Sequence, residues 1–482
     1  MGNAKRTAEP DCPQPAPLRR PGARSALPSV DRLNGWEKTG LVLVLLVSLA
    51  FGALTVLRSA YLKTRRTDAD VYFRAAWAVR AGDNPYLVKD TNSWHYHYPP
   101  LMAILLAPLA VPPDAAGATR ADGWVTYPVA VAVWYALGLA ALVFALHLAA
   151  RGLERAWGVP RLHDPPPSGR PWWRLRLFPL LACVVPVGFS LVRGQPNTLL
   201  LLGMAGFAAG WLSGRFAWAG LWLGLGACVK PYLGAVLLAA LWKRRWRAAG
   251  GFLAGLALGL VVIPAVLVGP SRAVELTRDF YELRLKGLLT GEMVPEIRLE
   301  LDVVPGNFPS YGVSLFKALH PDPAARPPVM PDGYRWFGAA LAAALAVTTL
   351  WAWGWREPPG GPRPARDLLA IGALLAVAVP AMPTCKPHYY ALALPLVTGL
   401  IAWAWERRGA PRTGPGLNLL LLCYAVVMAV EQLPGLKFLR EFGVLPLATL
   451  ALWAAALKLL LETPPQPSRE PLPAIESQTS EN

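Results

Sequence analysis

The chain has 482 residues, of which 54% are hydrophobic and 16% are charged, and its mean hydropathy is +0.35. A soluble domain of this length would be more polar, so the composition excludes one for the bulk of the chain. The formal net charge of +17 does not indicate a nucleic-acid partner, because most lysines and arginines lie between apolar stretches, as the positive-inside rule requires.

The first apolar stretch follows a tail rich in proline and arginine. Residues 1–38 contain no apolar core and are predicted to be a disordered, basic cytoplasmic tail. Residues 39–58 are long enough, at roughly 20 residues, to form the first membrane span. Because the basic tail is expected inside, this helix brings Asp68 to the outer side of the membrane.

Residues 59–124 are predicted to form a first outer loop that contains juxtamembrane helices. Residues 101–111 are apolar but short, and prolines bracket or interrupt them, so we interpret them as a dipping or surface helix. If this segment crossed the membrane, the arginine-rich loop after residue 150 would lie outside, against the positive-inside rule.

The later apolar stretches predict further spans. Basic loops follow residues 150, 242, 353 and 405, which places those loops and both termini in the cytoplasm. Residues 269–332 are predicted to be a long outer loop, and residues 462–482 a second disordered cytoplasmic tail. The membrane domain, residues 39–461, has about twelve spans when short, broken ones are admitted. The predicted spans are 39–58, 125–150, 175–192, 198–212, 217–229, 232–242, 252–268, 336–353, 368–382, 389–405, 417–430 and 445–461.

Lys230 interrupts the apolar sequence between residues 217–229 and 232–242. If these stretches are separate short spans, Lys230 lies at the outer surface. If they form one long helix, Lys230 is an intramembrane lysine, which is costly and usually functional. The charges of the neighbouring loops favour two separate spans.

This topology collects several reactive or polar side chains on the outer face. An aspartate or histidine there can take a proton from an acceptor hydroxyl, and lysine or arginine can hold a leaving phosphate. Aromatic rings can hold a sugar or an isoprenoid tail. Together these are the groups needed for glycosyl transfer from a lipid phosphate. They are Asp68, Asp70, His95, His97, Arg193, Gln195, Asn197, Lys230, Asn307, Ser310, Lys386 and His388.

The same residues form short motifs whose order and spacing resemble glycosyltransferase family 87. This is a family of bacterial polyprenol-phosphate-mannose-dependent mannosyltransferases, formerly a domain of unknown function, with the membrane-embedded GT-C fold. The resemblance extends over residues 40–461. The motifs are Asp68-Ala-Asp-Val-Tyr72, Gly82-Asp-Asn-Pro-Tyr86, Tyr98-Pro-Pro100, Gly194-Gln-Pro-Asn197, Lys230 and His388-Tyr389.

The resemblance implies an all-α GT-C fold and a hexosyltransferase of the bacterial plasma membrane with its active site on the outer face. The donor would be a polyprenyl-phosphate sugar, most simply mannose, and the acceptor a glycolipid, polysaccharide or protein. Asp68 falls on the position of the proposed catalytic base, and Asp70 is the alternative. The reaction would invert the anomeric carbon, and His388 would lie near the donor phosphate.

The candidate residues fall into three groups by expected role. The catalytic candidates are Asp68, Asp70 and His388. The candidates for binding the donor phosphate are Arg193, Gln195, Asn197, Lys230 and Lys386. The candidates for lining the substrate pocket are Tyr72, Tyr86, His95, His97, Tyr98, Asn307 and Ser310.

We expect no organic cofactor and no metal site, because Asp68 and Asp70 alone offer few ligands. Some GT-C enzymes use a divalent ion, so a divalent metal is the alternative. The five cysteines show neither metal-binding spacing nor a disulfide framework.

Structural roles compete with these functional ones. Asp68 can cap the following helix, Asp70 can favour its dipole, and Lys230 can extend to the membrane interface. His95 and His97 can pack at the membrane interface. Gln195 and Asn197 can form hydrogen bonds with backbone groups that are left unpaired between two spans. A transporter or lipid flippase is the rival function, although no internal repeat is visible. A membrane-bound acyl- or phosphotransferase is a third.

Overall fold

The computed structural model describes residues 35–62, 67–112, 124–158, 170–286, 308–354, 363–408, 413–430, 433–436, 439 and 442–462. Almost all of the two predicted tails lies outside these ranges, as do residues 287–307, which include the candidate Asn307. Within the described ranges the chain is all-helical. The strand-like pairing found there is an isolated antiparallel bridge between Lys89 and His95.

The described residues contain eighteen α-helices, numbered here in chain order. They are α1 Gly35–Val56, α2 Ala69–Ala81, α3 Pro100–Leu105, α4 Tyr127–Ala156, α5 Arg170–Ala182, α6 Val184–Val192, α7 Asn197–Leu212, α8 Phe216–Ala227, α9 Leu237–Trp242, α10 Trp246–Ala257, α11 Ile263–Val268, α12 Pro270–Phe280, α13 Tyr311–Leu319, α14 Asp332–Trp353, α15 Pro364–Ala378, α16 Leu394–Arg408, α17 Pro415–Val430 and α18 Val444–Leu461.

Six helical segments are long and apolar enough to cross a membrane. A seventh span would be formed by α5 and α6 together, which are bent by 75°. These helices show that the chain is an all-helical polytopic membrane protein. The four shorter apolar helices cover 197–212, 216–227, 231–242 and 415–430, and the total of about twelve spans therefore remains a prediction. The six long segments are Lys38–Tyr61, Tyr127–Ala156, Trp246–Val268, Asp332–Trp353, Pro364–Ala381 and Val444–Leu461.

The two predicted outer loops contain ordered helices. Residues 101–111 form α3 and a 3-10 turn, Ala107–Leu109, which are too short to span. Most of α3 is buried against α2. The segment therefore does not span, as expected, and its position as a dipping or surface helix stays a prediction. The described part of the second loop contains α12, a π-helical turn at Tyr281–Leu285, and α13.

Helices α8 and α10 approach each other through glycines spaced four residues apart. Gly220 and Gly224 lie on α8, and Gly251 and Gly255 lie on α10. A Cβ added at Gly220 would collide with the carbonyl of Ala248. In lipid, helices associate by close packing of small residues, so this contact fixes the two helices firmly together. The end of α8 leads directly to Lys230.

Candidate active site

A cavity of about 220 Å³ opens at the end of the helical bundle where α2 begins. Eight of the candidate residues line it: Asp68, Tyr72, His95, His97, Tyr98, Gln195, Lys230 and Lys386. Val71 and Tyr389, which belong to two of the sequence motifs, also line it. Residues that the sequence did not single out complete the wall: Asp90, Trp94, Pro231, Tyr232, Arg284, Phe308, Met382 and Thr384. Residues from widely separated parts of the chain thus line one cavity.

Asp68 immediately precedes α2, but its carboxylate does not cap the helix. Instead one oxygen, Oδ2, accepts a hydrogen bond from Gln195 Nε2. The other, Oδ1, lies 3.7 Å from the guanidinium of Arg193. The side chain is 25% exposed, in the cavity. Asp68 is therefore held in place while part of its carboxylate remains accessible.

Asp70 lies on α2 with a fully buried carboxylate that does not line the cavity. It forms an ion pair with Arg74 at 3.1 Å and accepts hydrogen bonds from the backbone N–H and hydroxyl of Thr91. These bonds tie α2 to the loop that precedes His95. The position of Asp70 thus favours a structural role over the catalytic alternative.

A tight turn between α6 and α7 holds the backbone next to Asp68. Arg193 O accepts a hydrogen bond from the Asp68 backbone N–H at 2.9 Å. Gly194 has φ +68°, a region that favours glycine, and an added Cβ would lie 3.0 Å from the Cβ of Ala69. Trp134 Nε1 donates to Gly194 O at 2.7 Å. The turn is therefore fixed from both sides.

Lys230 lies at the break between α8 and the 3-10 turn Pro231–Val236, and it is 3% exposed. Its ammonium group donates to Gln195 Oε1 and to Asn197 Oδ1, each at 3.0 Å. It also lies 4.2 Å from the ring centroid of Tyr389 and 5.1 Å from that of Tyr98. The break agrees with two separate helices, but Lys230 is enclosed by protein instead of lying at an open outer surface.

His388 lies outside the cavity lining, and it is 1% exposed. Its ring packs against those of Phe189 and Tyr389. Neither ring nitrogen has a hydrogen-bond partner among the described residues. Its backbone carbonyl accepts a hydrogen bond from Asn197 Nδ2 at 3.0 Å. A role for His388 at the donor phosphate remains a prediction. Asn197, which is also outside the cavity lining, connects His388 to Lys230 through its side-chain amide.

The histidines and tyrosines of the first loop form one wall of the cavity. His95 and His97 both line it, as expected for alternate residues of an extended segment. The hydroxyls of Tyr72 and Tyr98 lie 3.0 Å apart, and Tyr98 also donates to Gln195 Oε1 at 3.3 Å. Burial raises the pKa of both tyrosines above its usual value, so both hydroxyls are neutral at physiological pH. Tyr86 lies behind this wall and donates to the carbonyl of Tyr98.

Two further cations reach the cavity, and they differ in their surroundings. Lys386 lies with its ammonium group 4.4 Å from the ring centroid of Trp94. Arg284 is buried and donates to the backbone carbonyls of Tyr86 and Tyr96, which holds the first loop in place. Lys386 therefore lies against an aromatic part of the cavity wall, whereas Arg284 supports the backbone of the first loop.

The remaining candidates and the additional lining residues define the edges of the site. Ser310 caps α13 by accepting a hydrogen bond from Val313 N at 3.3 Å, and it does not line the cavity. Asp90 lines the cavity, and burial raises its pKa above the usual value. Trp94 and Asp90 belong to the same loop as His95, but no sequence signal distinguishes them from other loop residues. Among the described residues, no group of three or more histidine, cysteine, aspartate or glutamate side chains could hold a metal ion.

Comparison with known proteins identifies a family. No curated protein matches the chain. Residues 96–383, more than half of the chain, match glycosyltransferase family 87. The matched region contains Tyr98, Gln195 and Lys230. Asp68 lies 28 residues before its start at residue 96, and Lys386 lies three residues after its end at residue 383. The chain therefore belongs to glycosyltransferase family 87.

Proposed function

We propose that this glycosyltransferase transfers a hexose, mannose in the simplest case, from a polyprenyl phosphate to a hydroxyl of a glycolipid, polysaccharide or protein. The observation that carries the proposal is that Asp68 and Lys386 line the same cavity. Glycosyl transfer of this kind needs a base for the acceptor and a cation for the leaving phosphate. Membership of family 87 supports glycosyl transfer itself.

Asp68 is the proposed general base. The acceptor oxygen forms a bond to the anomeric carbon while its proton passes to Asp68. The bond between that carbon and the phosphate oxygen breaks, and the phosphate leaves with the electron pair. Attack opposite the leaving group inverts the anomeric centre. The orientation of Asp68 by Gln195 and Arg193 supports this role, because a base must be held within hydrogen-bond reach of its proton.

Lys386 is the proposed partner of the leaving phosphate, since it is a cationic residue of the cavity wall. The phosphate needs little protonation, so a positive charge is sufficient to stabilise its departure. Trp94, Tyr72 and Tyr98 supply aromatic surface for the sugar. His95 and His97 supply ring nitrogens for its hydroxyls. We expect no organic cofactor.

The outer face of the plasma membrane is the proposed location of the cavity. Trp134, near the start of α4, contacts the turn beside Asp68. Near the other end of α4, Glu154 forms an ion pair with Arg176 at 2.7 Å. Twenty residues of helix separate Trp134 from Glu154, which is roughly 30 Å, the thickness of the hydrocarbon core. The arginine-rich end is expected inside, so the cavity is expected outside.

The test compares membranes that carry wild type, Asp68→Asn or the control Asp332→Asn at matched expression. Asp332 is a suitable control because its side chain is 78% exposed and distant in sequence from the cavity residues. Membranes receive radiolabelled polyprenyl-phosphate mannose together with lipid and polysaccharide acceptors. We expect transfer by wild type and the control, and a loss of about 100-fold or more in Asp68→Asn.

The other outcomes separate the parts of the proposal. Transfer that survives in Asp68→Asn would remove Asp68 as the base and leave Asp70 or His388 as candidates. If wild type transfers neither mannose nor glucose nor arabinofuranose from polyprenyl phosphates, the proposed function is wrong. Movement of the intact lipid donor across the bilayer would then favour a flippase.

A further inference from the structure

We infer that Gln195 and Lys230 act together as positioning residues for Asp68, and do not bind the donor phosphate. This inference rests on the proposed function, in which Asp68 is the base. It replaces the expectation from sequence that both residues belong to the phosphate site. The argument depends on how many hydrogen bonds each group can make.

The hydrogen bonds of Gln195 determine which end of its amide faces Asp68. Its oxygen, Oε1, accepts from Lys230 Nζ at 3.0 Å and from the Tyr98 hydroxyl at 3.3 Å. A carbonyl oxygen has two acceptor lone pairs, so both are used. The NH2 group must then point the other way, where it donates to Asp68 Oδ2. The opposite orientation would place two oxygens together and leave the Lys230 ammonium group facing an NH2.

Asn197 fixes the second contact of Lys230 in the same manner. Its NH2 group donates to the His388 carbonyl at 3.0 Å, so its oxygen faces Lys230. An ammonium group has three N–H donors, and the two amide oxygens take two of them. The ring of Tyr389, at 4.2 Å, covers the ammonium group as well. Lys230 thus retains little capacity to bind a phosphate.

Charge balance gives a reason for this arrangement. A lysine that is 3% exposed needs a compensating charge, because burying an isolated cation is costly. The Asp68 carboxylate is the anion on the far side of the Gln195 amide, which hydrogen-bonds to both groups. In return, Lys230 orients the amide that immobilises one oxygen of Asp68. The remaining oxygen can then face the acceptor hydroxyl without the carboxylate having to reorient during the reaction.

The test is a double-mutant cycle with Gln195→Met, Lys230→Met and the double variant. The assay is sugar transfer from radiolabelled polyprenyl-phosphate mannose by purified protein in detergent. We expect each single variant to lower kcat about 10- to 100-fold. We expect the donor KM to change less than about threefold. The double variant should be no slower than the slower single one, because all three variants break the same chain of contacts.

Lys386→Met provides the comparison for the KM measurement, since Lys386 is the proposed phosphate contact. It should raise the donor KM, which shows that the assay detects weakened phosphate binding. The inference would be overturned if Gln195→Met and Lys230→Met raised the donor KM as much as Lys386→Met does. Losses in kcat that multiply in the double variant would overturn it as well.

Gln195→Glu keeps the inference testable if the methionine variants do not fold. A carboxylate at this position can still pair with Lys230, which favours folding, but it cannot donate to Asp68 unless it is protonated. We expect kcat to fall with an unchanged unfolding temperature. Wild-type kcat in a folded Gln195→Glu variant would contradict the inference. Absence of transfer by wild type would instead contradict the proposed function.

Discussion

One residue separates Asp68 from Asp70, yet their carboxylates lie in different surroundings. Asp68 is partly exposed in the cavity and contacts a neutral amide and a guanidinium group. Asp70 is fully buried and paired with Arg74. Helical geometry at the start of α2 explains the difference, because residues two apart lie on opposite sides of one turn, about 200° around the axis. The sequence offered a signal for the structural role, since Asp70 and Arg74 have the i, i+4 spacing of a helical ion pair.

Replacement of Asp70 should therefore affect stability more than chemistry. Asp70→Asn removes a negative charge that pairs with the buried Arg74, and breaking a buried pair typically costs about 3 to 5 kcal/mol. We expect a lower unfolding temperature in detergent, while the kcat of the folded fraction stays within about threefold of wild type. Thermal unfolding and transfer assays on the same preparation measure both quantities.

Asp83→Asn is the matched control for Asp70→Asn, because Asp83 is exposed and lies just after α2. It should change neither the unfolding temperature nor kcat. If Asp70→Asn unfolds at the wild-type temperature but loses activity as Asp68→Asn does, the structural assignment of Asp70 is wrong.

At the scale of elements, the contact between α8 and α10 places Lys230. The four glycines allow the two backbones to approach closely, and α8 then ends at Ala227, just before the break. The glycine spacing was visible in the sequence. Which helices it brings together was not, because that depends on the packing of the whole bundle.

Adjacent glycines on α10 give a sharp test of this contact. A Cβ added at Gly251 would collide with the Ala217 carbonyl, whereas one at Gly250 meets nothing within 4 Å. Gly251→Ala should therefore lower the unfolding temperature and the activity. Gly250→Ala should be neutral or stabilise by up to about 1 kcal/mol, because alanine favours a helix. Equal unfolding temperatures for the two variants would show that α8 and α10 do not pack in this way.

At the scale of the whole molecule, the two ends of the bundle differ in chemistry. One end carries the cavity with its carboxylate, tyrosines and histidines. The other carries the ion pairs around Glu154 and the hydrogen bond from Trp157 to Glu406. The charge pattern of the loops predicts this polarity, since it is a property of local sequence.

Cysteine labelling tests the proposed orientation. After replacement of Cys12 and the exposed Cys423 by serine, single cysteines are introduced as Leu87→Cys or Arg155→Cys. Leu87 is 65% exposed beside the cavity, and Arg155 is exposed at the other end of α4. A membrane-impermeant maleimide should label Leu87→Cys in intact cells, and Arg155→Cys only after permeabilisation. The reverse pattern would place the cavity in the cytoplasm, and the serine background should remain unlabelled throughout.

The sequence predicted the helical class and much of the cavity wall. The features that it did not predict have a different physical origin. Apolar runs and loop charges are local, so each predicted span contains a helix. The location of His388 behind the wall depends on how the 3-10 turn Pro387–Ala393 packs against α6. Trp94 lines the cavity only because distant contacts, including those of Arg284, hold its loop. Such long-range packing cannot be read from one sequence.

The arrangement around Lys230 also constrains how this chain can change during evolution. Loss of the lysine alone leaves the Asn197 oxygen without its ammonium donor, and loss of Gln195 alone removes the amide that connects Lys230 to Asp68. Each single step therefore lowers fitness before a second substitution can compensate. Positions 68, 195, 197 and 230 should thus be inherited as a block, with changes at one accompanied by changes at the others in descendants of a common ancestor.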